Sequence, residues 1–352
     1  MRALILALIA FAAPVMARAA PCVTATSACE RWIELKPGER AMVYATRPLD
    51  RPDPTVRRAL VMVHGTLRNA DHYFATATTA GFLHGALDDT LIIAPAFHSA
   101  DPHCEDKLAP GEVSFSCSGD SWRSGGAASS DPRLTSFDFT DALLRRLADK
   151  RLFPNLKVIV VAGHSAGGQF VARYAMASRV ADDLGVPVRF VVANPSSYAW
   201  PDATRLIPEG VGSPAAAAVA WKEETPHTGF RFGPFDAAKV ADYDKWPYGL
   251  EDRTGGYTAG MSDDLLRRNL ARRDVTYLLS QVDTLPLGGF DDSPRAMAQG
   301  ATRRQRGEAY VQHIRDSLGA KAPVIIVPEC GHNDRCVYTT DQVLPVIFPP
   351  VQ

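Results

Sequence analysis

The chain reads as an α/β protein: a mostly parallel central sheet, helices on both faces, and one inserted lid or cap. Three observations predict this. Short apolar, β-branched runs alternate with amphipathic stretches along most of the 352 residues. One run, Val158 to Val161, passes through Gly163-His164-Ser165-Ala166-Gly167 straight into a helical pattern at Phe170, Val171 and Tyr174, which is strand, sharp turn, helix. The alternation stops once, between about residues 200 and 260, in a stretch dense in aromatics and turn formers. Continuous apolar runs mark strands buried on both faces, as parallel strands between helices are.

Residues 1–19 stand apart from the fold. Arg2 precedes an apolar run from Ala3 to Ala13, and Ala17-Arg18-Ala19 is a small-x-small cleavage pattern. This predicts a secretory signal peptide removed before Ala20. The run is short for a bilayer span, and no other stretch is long and apolar enough, so no membrane span is expected after processing. Residues 20–352 suffice for a single decorated domain. At 46% hydrophobic and 22% charged the composition is that of an ordinary globular protein, and a formal net charge of −1 gives no reason to expect nucleic acid or an acidic membrane surface as partner. The six cysteines fall as three local pairs, Cys22 with Cys29, Cys104 with Cys117, Cys330 with Cys336. An even count in an exported chain reads as disulfides, and nearest-neighbour pairing is the simplest of the fifteen connectivities. None of the pairs has the spacing of a zinc knuckle, so no metal is expected.

Glu30 to Pro48 predicts a β-hairpin turning at Pro37-Gly38. Ala59 to Val63 is a buried strand ending in His64-Gly65-Thr66. Asn69 and Asp71 can cap a helix through Tyr73 and Phe74. Leu91 to Pro95 is the next strand. An irregular segment from Ala96 to about Thr135 follows, long enough to suggest a functional loop. Segments after strands line the ligand crevice of a doubly wound sheet. That makes Trp122 a candidate pocket wall, packing beneath the loop being the alternative. Phe137 to Leu152 is an amphipathic helix, and Val188 to Ala193 a strand leading to Tyr198. The expected cap carries Trp200, Trp221, Phe230, Tyr243 and Trp246; Tyr198 and Trp246 join Trp122 as candidate pocket residues. Its Asp242 and Asp244 raise a calcium site as one possibility and solvated carboxylates as the plainer one. A Ser-Asp-Asp start predicts a helix from Ser262 to Arg273. The strand Val275 to Val282 ends at Asp283, with Asp291 and Asp292 close behind as competing carboxylates. A charged helix, Ala301 to Leu318, and a last strand, Val324 to Val327, lead to Cys330-Gly331-His332 and Cys336.

At the turn after Val161 the glycines have a physical reason. A serine thrown out on a tight turn brings the chain close on both sides, and Gly163 and Gly167 have no Cβ to clash there. The hydroxyl then stands near a helix N-terminus, where partial positive charge favours a developing anion. Gly163-His164-Ser165-Ala166-Gly167, His64-Gly65, Asp283 and Gly331-His332, with Ser, Asp and His in that order, resemble a secreted serine hydrolase of the α/β-hydrolase superfamily. The resemblance spans nearly all of the mature chain in element order. It is specific to the superfamily and weak for substrate; exported esterases, including feruloyl-esterase and polyhydroxyalkanoate-depolymerase relatives, share the plan. It implies an α/β-hydrolase fold with Ser165 as nucleophile, His332 as base, Asp283 as the acid that orients it, and the backbone N–H groups of Thr66 and Ala166 as an oxyanion hole. It implies acyl transfer without a cofactor, a small-molecule or oligomeric ester as substrate, and a periplasmic or extracellular location. Two other readings stay open: a peptidase or amidase of the same fold, because a triad does not choose ester over amide, and a non-catalytic binding protein on the same scaffold.

Overall fold

The computed structural model describes residues 20–104, 106–119, 121–207 and 224–351. The expected signal peptide, and Trp221 of the expected cap, lie outside them. In chain order the strands are β1 Glu30–Lys36, β2 Glu39–Ala45, β3 Arg58–Val63, β4 Thr90–Pro95, β5 Val158–His164, β6 Val188–Ala193, β7 Thr204–Leu206, β8 Phe232–Pro234, β9 Val275–Ser280 and β10 Val324–Val327. The helices are α1 Ala70–Leu83, α2 Ser136–Ala148, α3 Ala166–Ala177, α4 Asp263–Arg272, α5 Pro294–Met297, α6 Arg303–Leu318, α7 Asp334–Tyr338 and α8 Leu344–Ile347.

One eight-stranded sheet runs in the order β1-β2-β4-β3-β5-β6-β9-β10. Only β2 opposes the rest: it pairs antiparallel with β1 and β4, and every other neighbouring pair is parallel. Side chains alternate across a strand, so each buried run serves two cores. Val61, Val63, Ile159 and Val161 face the core built with α2, α3 and α6. Leu60, Met62, Val158 and Val160 face the core built with α1, α7 and α8. At ~1.5–3 kcal/mol for each fully buried aliphatic side chain, these central strands dominate the stability of the sheet.

Helix starts follow their caps. Thr135 and Asp138 form a capping box at α2, and Ser262 accepts from the Leu265 N–H at α4. Asn69 stands at the N-cap of α1, but its side chain makes no capping bond, a correction to its expected role. The segment from Ala96 to Thr135 is irregular as expected, apart from isolated bridges and a 3-10 turn at Trp122–Ser124. All three cysteine pairs are disulfides between nearest neighbours. No helix among the described residues is long and apolar enough to cross a membrane.

The described residues of the segment expected as a cap make contacts with the body. β7 and β8 make a small separate sheet. Trp200 stacks on His313 of α6 at 5.1 Å, and the Tyr257 hydroxyl donates to Asp141 of α2 at 2.7 Å. Asp244 is buried against Arg205 at 2.9 Å rather than solvated, and the exposed Asp242 pairs with Lys245 at 3.1 Å.

The turn between β5 and α3 is tight. Ser165 has φ 59° and ψ −120°, a conformation that costs on the order of 1–3 kcal/mol and needs its surroundings to hold it. A Cβ on Gly163 would overlap the Gly167 carbonyl, and one on Gly167 would overlap the Val63 carbonyl and lie 2.6 Å from that of His64. Because the obstacles are backbone atoms, no side chain can yield. Gly167→Ala is therefore expected to lower stability by about 1–3 kcal/mol or more, read as a fall in the urea unfolding midpoint. An unchanged midpoint would mean that α3 does not need this approach to the sheet.

Candidate active site

The site lies where β3, β5, β9 and β10 end. Ser165 follows β5, and its N–H is held by the Ala193 carbonyl at the end of β6 at 3.0 Å. Asp283 follows β9. There Asn194 latches the two strand ends together, donating to the Ser280 hydroxyl at 2.7 Å and accepting from the Ser280 N–H at 2.8 Å. His332 sits in the loop after β10, between the bonded Cys330 and Cys336.

These three side chains meet. His332 Nδ1 lies 2.8 Å from Asp283 Oδ2, and His332 Nε2 lies 2.9 Å from Ser165 Oγ. A carboxylate only accepts, so Nδ1 carries the proton and Nε2 is left to accept from the serine hydroxyl. Asp283 is 2% exposed and Ser165 6%. The competing carboxylate Asp291 is turned elsewhere and accepts from the Tyr248 hydroxyl at 2.7 Å. Such a chain can draw the proton from a serine as it attacks an electrophile.

The loop after β3 is fixed by histidine and tyrosine. His64 donates from Nδ1 to the Gly65 carbonyl at 3.0 Å and accepts at Nε2 from the Phe97 N–H at 3.2 Å. Both ring nitrogens are satisfied only in the neutral form, and full burial lowers the pKa to about 3. His164, just before the serine, lies with its ring 4.5 Å from that of His332, and its Nδ1 is 3.2 Å from the Tyr73 hydroxyl. Burial holds its pKa well below the ordinary value, with the nearby His332 and Arg303 adding to the effect.

A cavity of about 480 Å³ opens over Ser165. Thr66, Leu67, His72, Gly288, Gly289 and Asp334 are among the residues that line it. Asp334 accepts from His72 at 3.1 Å and from the Thr76 hydroxyl at 2.8 Å. Thr66 thus reaches the same space as Ser165, and Ala166 begins α3 beside it. The three aromatic residues expected as pocket walls do not line this cavity. Trp122 is 3% exposed and stacks on Phe97 at 5.2 Å; Tyr198 is fully buried and stacks on Tyr310 at 4.3 Å. Trp246 donates its indole N–H to the Ser124 carbonyl at 3.1 Å. Each large ring removes more apolar area from water in the core than at the edge of an open cavity. Gly288, Gly289 and the pair His72 and Asp334 have no motif that would have marked them. Arg303 had one: α6 opens on Arg303, Arg304 and Arg306 with no acid in its first turn, against the preference of a helix N-terminus for negative charge.

The sequence matches the alpha/beta hydrolase family over residues 60–344, and the chain belongs to that family. Two solved structures are similar. One is poly(aspartic acid) hydrolase-1 from Sphingomonas sp. KT-1, at 20% identity and TM-score 0.59, covering 91% of this chain and 97% of that one. The other is a poly(3-hydroxybutyrate) depolymerase from Bordetella parapertussis, at 19% identity and TM-score 0.57, covering 90% of this chain and 94% of that one. These likenesses are likenesses of fold. No match was found among curated proteins.

The buried neutral His64 makes stability depend on pH. Unfolded, the imidazole takes up a proton below its ordinary 6.5; folded, it refuses one until about 3. Its contribution is therefore complete above pH 6.5 and declines as pH falls toward 3, by at most about 1.4 kcal/mol per pH unit. His164 acts in the same direction. Urea unfolding between pH 7 and 4 is expected to show this decline, made shallower by about one proton in His64→Gln. A slope equal to that of the parent would mean that His64 titrates normally in the folded protein.

Proposed function

We propose that this chain is an exported serine hydrolase that cleaves carboxylic esters through a covalent acyl-enzyme. The observation that carries the reading is the hydrogen-bonded chain from Ser165 through His332 to the buried Asp283. Ser165 Oγ attacks the ester carbonyl carbon while His332 Nε2 takes its proton. Negative charge passes to the carbonyl oxygen, and the N–H groups of Thr66 and Ala166 receive it; donors already aimed at developing charge lower the barrier more than water, which must reorient. His332 then gives its proton to the leaving alcohol, and water repeats the sequence to free the acid. Asp283 holds the imidazole in the reactive tautomer and stabilises it as imidazolium. Export is supported by the three disulfides, which belong in an oxidising compartment, and by the cleavable leader pattern.

A non-catalytic role would call for a missing member of the triad, and none is missing. Fold likeness at 20% identity does not choose the substrate. A panel of p-nitrophenyl esters of rising acyl length, set beside aryl esters and peptide amides, makes that choice.

Ser165→Ala is expected to lose about a thousandfold or more of ester turnover while keeping the parent's circular dichroism, and a serine-directed phosphonate should label the parent alone. Asp283→Asn is expected to cost roughly 10³–10⁴ in kcat, because the wrong tautomer then faces the serine. Asp291→Asn should change little; if it proves the crippling substitution, the acid has been misassigned.

The Cys330 and Cys336 bridge closes a six-residue separation around His332. A base displaced by ~1 Å can cost on the order of a hundredfold in rate. Cys330→Ser with Cys336→Ser is thus expected to lower activity per folded molecule before the domain unfolds. Activity and circular dichroism followed through one reductant titration check this, and signals falling together would assign the bridge to stability alone.

A further inference from the structure

We propose that Arg303 is a positioning residue of this site: it holds the second oxygen of the Asp283 carboxylate, ties it to the loop that walls the cavity, and sets a compensating positive charge behind the carboxylate that faces His332. The proposal rests on the reading of Ser165, His332 and Asp283 as a triad.

The geometry places one guanidinium between the acid and the wall. Asp283 gives Oδ2 to His332 and Oδ1 to Arg303 Nη1 at 3.3 Å. The same guanidinium donates to the Ser196 hydroxyl at 2.7 Å and to the carbonyls of Leu287 and Gly288 at 2.8 and 2.9 Å. Gly288 lies against the imidazole, since a Cβ there would sit 3.1 Å from His332 Cδ2. Arg303 thus fixes the carboxylate from behind and the ring from its flank.

Its neighbours make a purely mechanical role redundant. Arg306 already bolts this region down through the carbonyls of Gly300 and Asp291, and Arg304 does so through that of Gln281. Arg303 is the one of the three that pairs with Asp283, and both partners are buried. The pairing changes the charge that His332 meets. With Arg303 present, the carboxylate and guanidinium sum to zero beside the neutral imidazole. At the tetrahedral intermediate, imidazolium and oxyanion again sum to zero. The buried set carries no net charge at either stage, so little charge must be buried anew as the reaction proceeds. A protonated imidazole without an oxyanion to balance it is disfavoured. The other groups facing His332 do not undo this: His164 is kept neutral by burial, and across the cavity His72 and Asp334 satisfy each other.

The test is a titration of His332 by nitrogen NMR on histidine-labelled protein, with the signal assigned by its loss in His332→Gln. It uses no substrate, so a chain inactive on every ester would overturn the esterase reading while leaving this measurement intact. In Arg303→Met the His332 pKa is expected to rise by about half a unit or more. The acid limb of kcat/KM on p-nitrophenyl acetate should move the same way. A pKa equal to that of the parent would overturn the proposal. Arg303→Lys keeps the charge and loses the fork: the pKa should hold while kcat falls about tenfold or more with KM little changed. If Arg303→Met does not fold, Arg303→Lys decides, and an unchanged kcat in that variant overturns the positioning role.

Discussion

The site depends on how closely α3 backs onto the sheet. Gly163, Gly167 and Gly168 let the first turn of the helix rest on the carbonyls of β3 and β6 with no side chain between. That approach forces Ser165 into a positive φ and throws its hydroxyl off the end of β5. Everything else at the site is measured from that point. β9 and β10 are parallel to β5 and end on the same side, so the turns after them carry Asp283 and His332 to the serine without long loops. A parallel sheet brings distant parts of a chain to one edge in this way, and here residues 118 and 167 positions away from Ser165 arrive within one line of hydrogen bonds.

The parts of this arrangement that were legible in the sequence are those governed by local rules. β6 and β10 occupy Val188–Ala193 and Val324–Val327, the bounds read from their β-branched runs, because such runs favour the strand conformation. Ser165, Asp283 and His332 could be named because each follows a strand in a fixed order. The pocket was not legible, for a physical reason. An aromatic residue carries the same signal whether it faces a crevice or a core, and Trp122 and Tyr198 went to the core, where more of each ring is removed from water. The cavity is walled instead by Gly288, Gly289, Thr66 and Leu67, residues with no periodicity to betray them. Leu67 is 80% exposed at this wall, against the usual inward preference of leucine. Of the expected cap, Trp200 packs on α6 and Tyr257 bonds to α2, and none of its described residues lines the cavity.

Arg303 belongs to a third kind, where a broken local rule carried information. Three arginines in the first turn of α6 oppose the helix dipole and, counted as surface charge, look unremarkable. In the structure all three are buried. A buried cation needs partners, and these find the carbonyls and carboxylates that strand ends leave unpaired: Gln281, Asp283, Gly288, Gly300. Burial lowers the pKa of Arg303, and the Asp283 charge works against that fall. The ends of β6 and β9 and the loops beyond them are therefore held by charge-assisted bonds from one helix turn, which are stronger than neutral ones.

Seen this way, the histidines divide by what their nitrogens can reach. His64 has both nitrogens occupied in the neutral state and cannot accept a proton without losing the Phe97 N–H. His164 is buried and bonded at Nδ1 to Tyr73. His332 combines a buried carboxylate behind it with a hydroxyl in front. Under the proposed mechanism, catalytic capacity does not come from histidine as such, of which the sequence has nine. It comes from His332, whose Nε2 faces the Ser165 hydroxyl at the cavity and whose Nδ1 is pinned to the Asp283 carboxylate. Burial lowers the pKa of His64 and of His164, which leaves His332 to take the proton of Ser165 in the proposed mechanism.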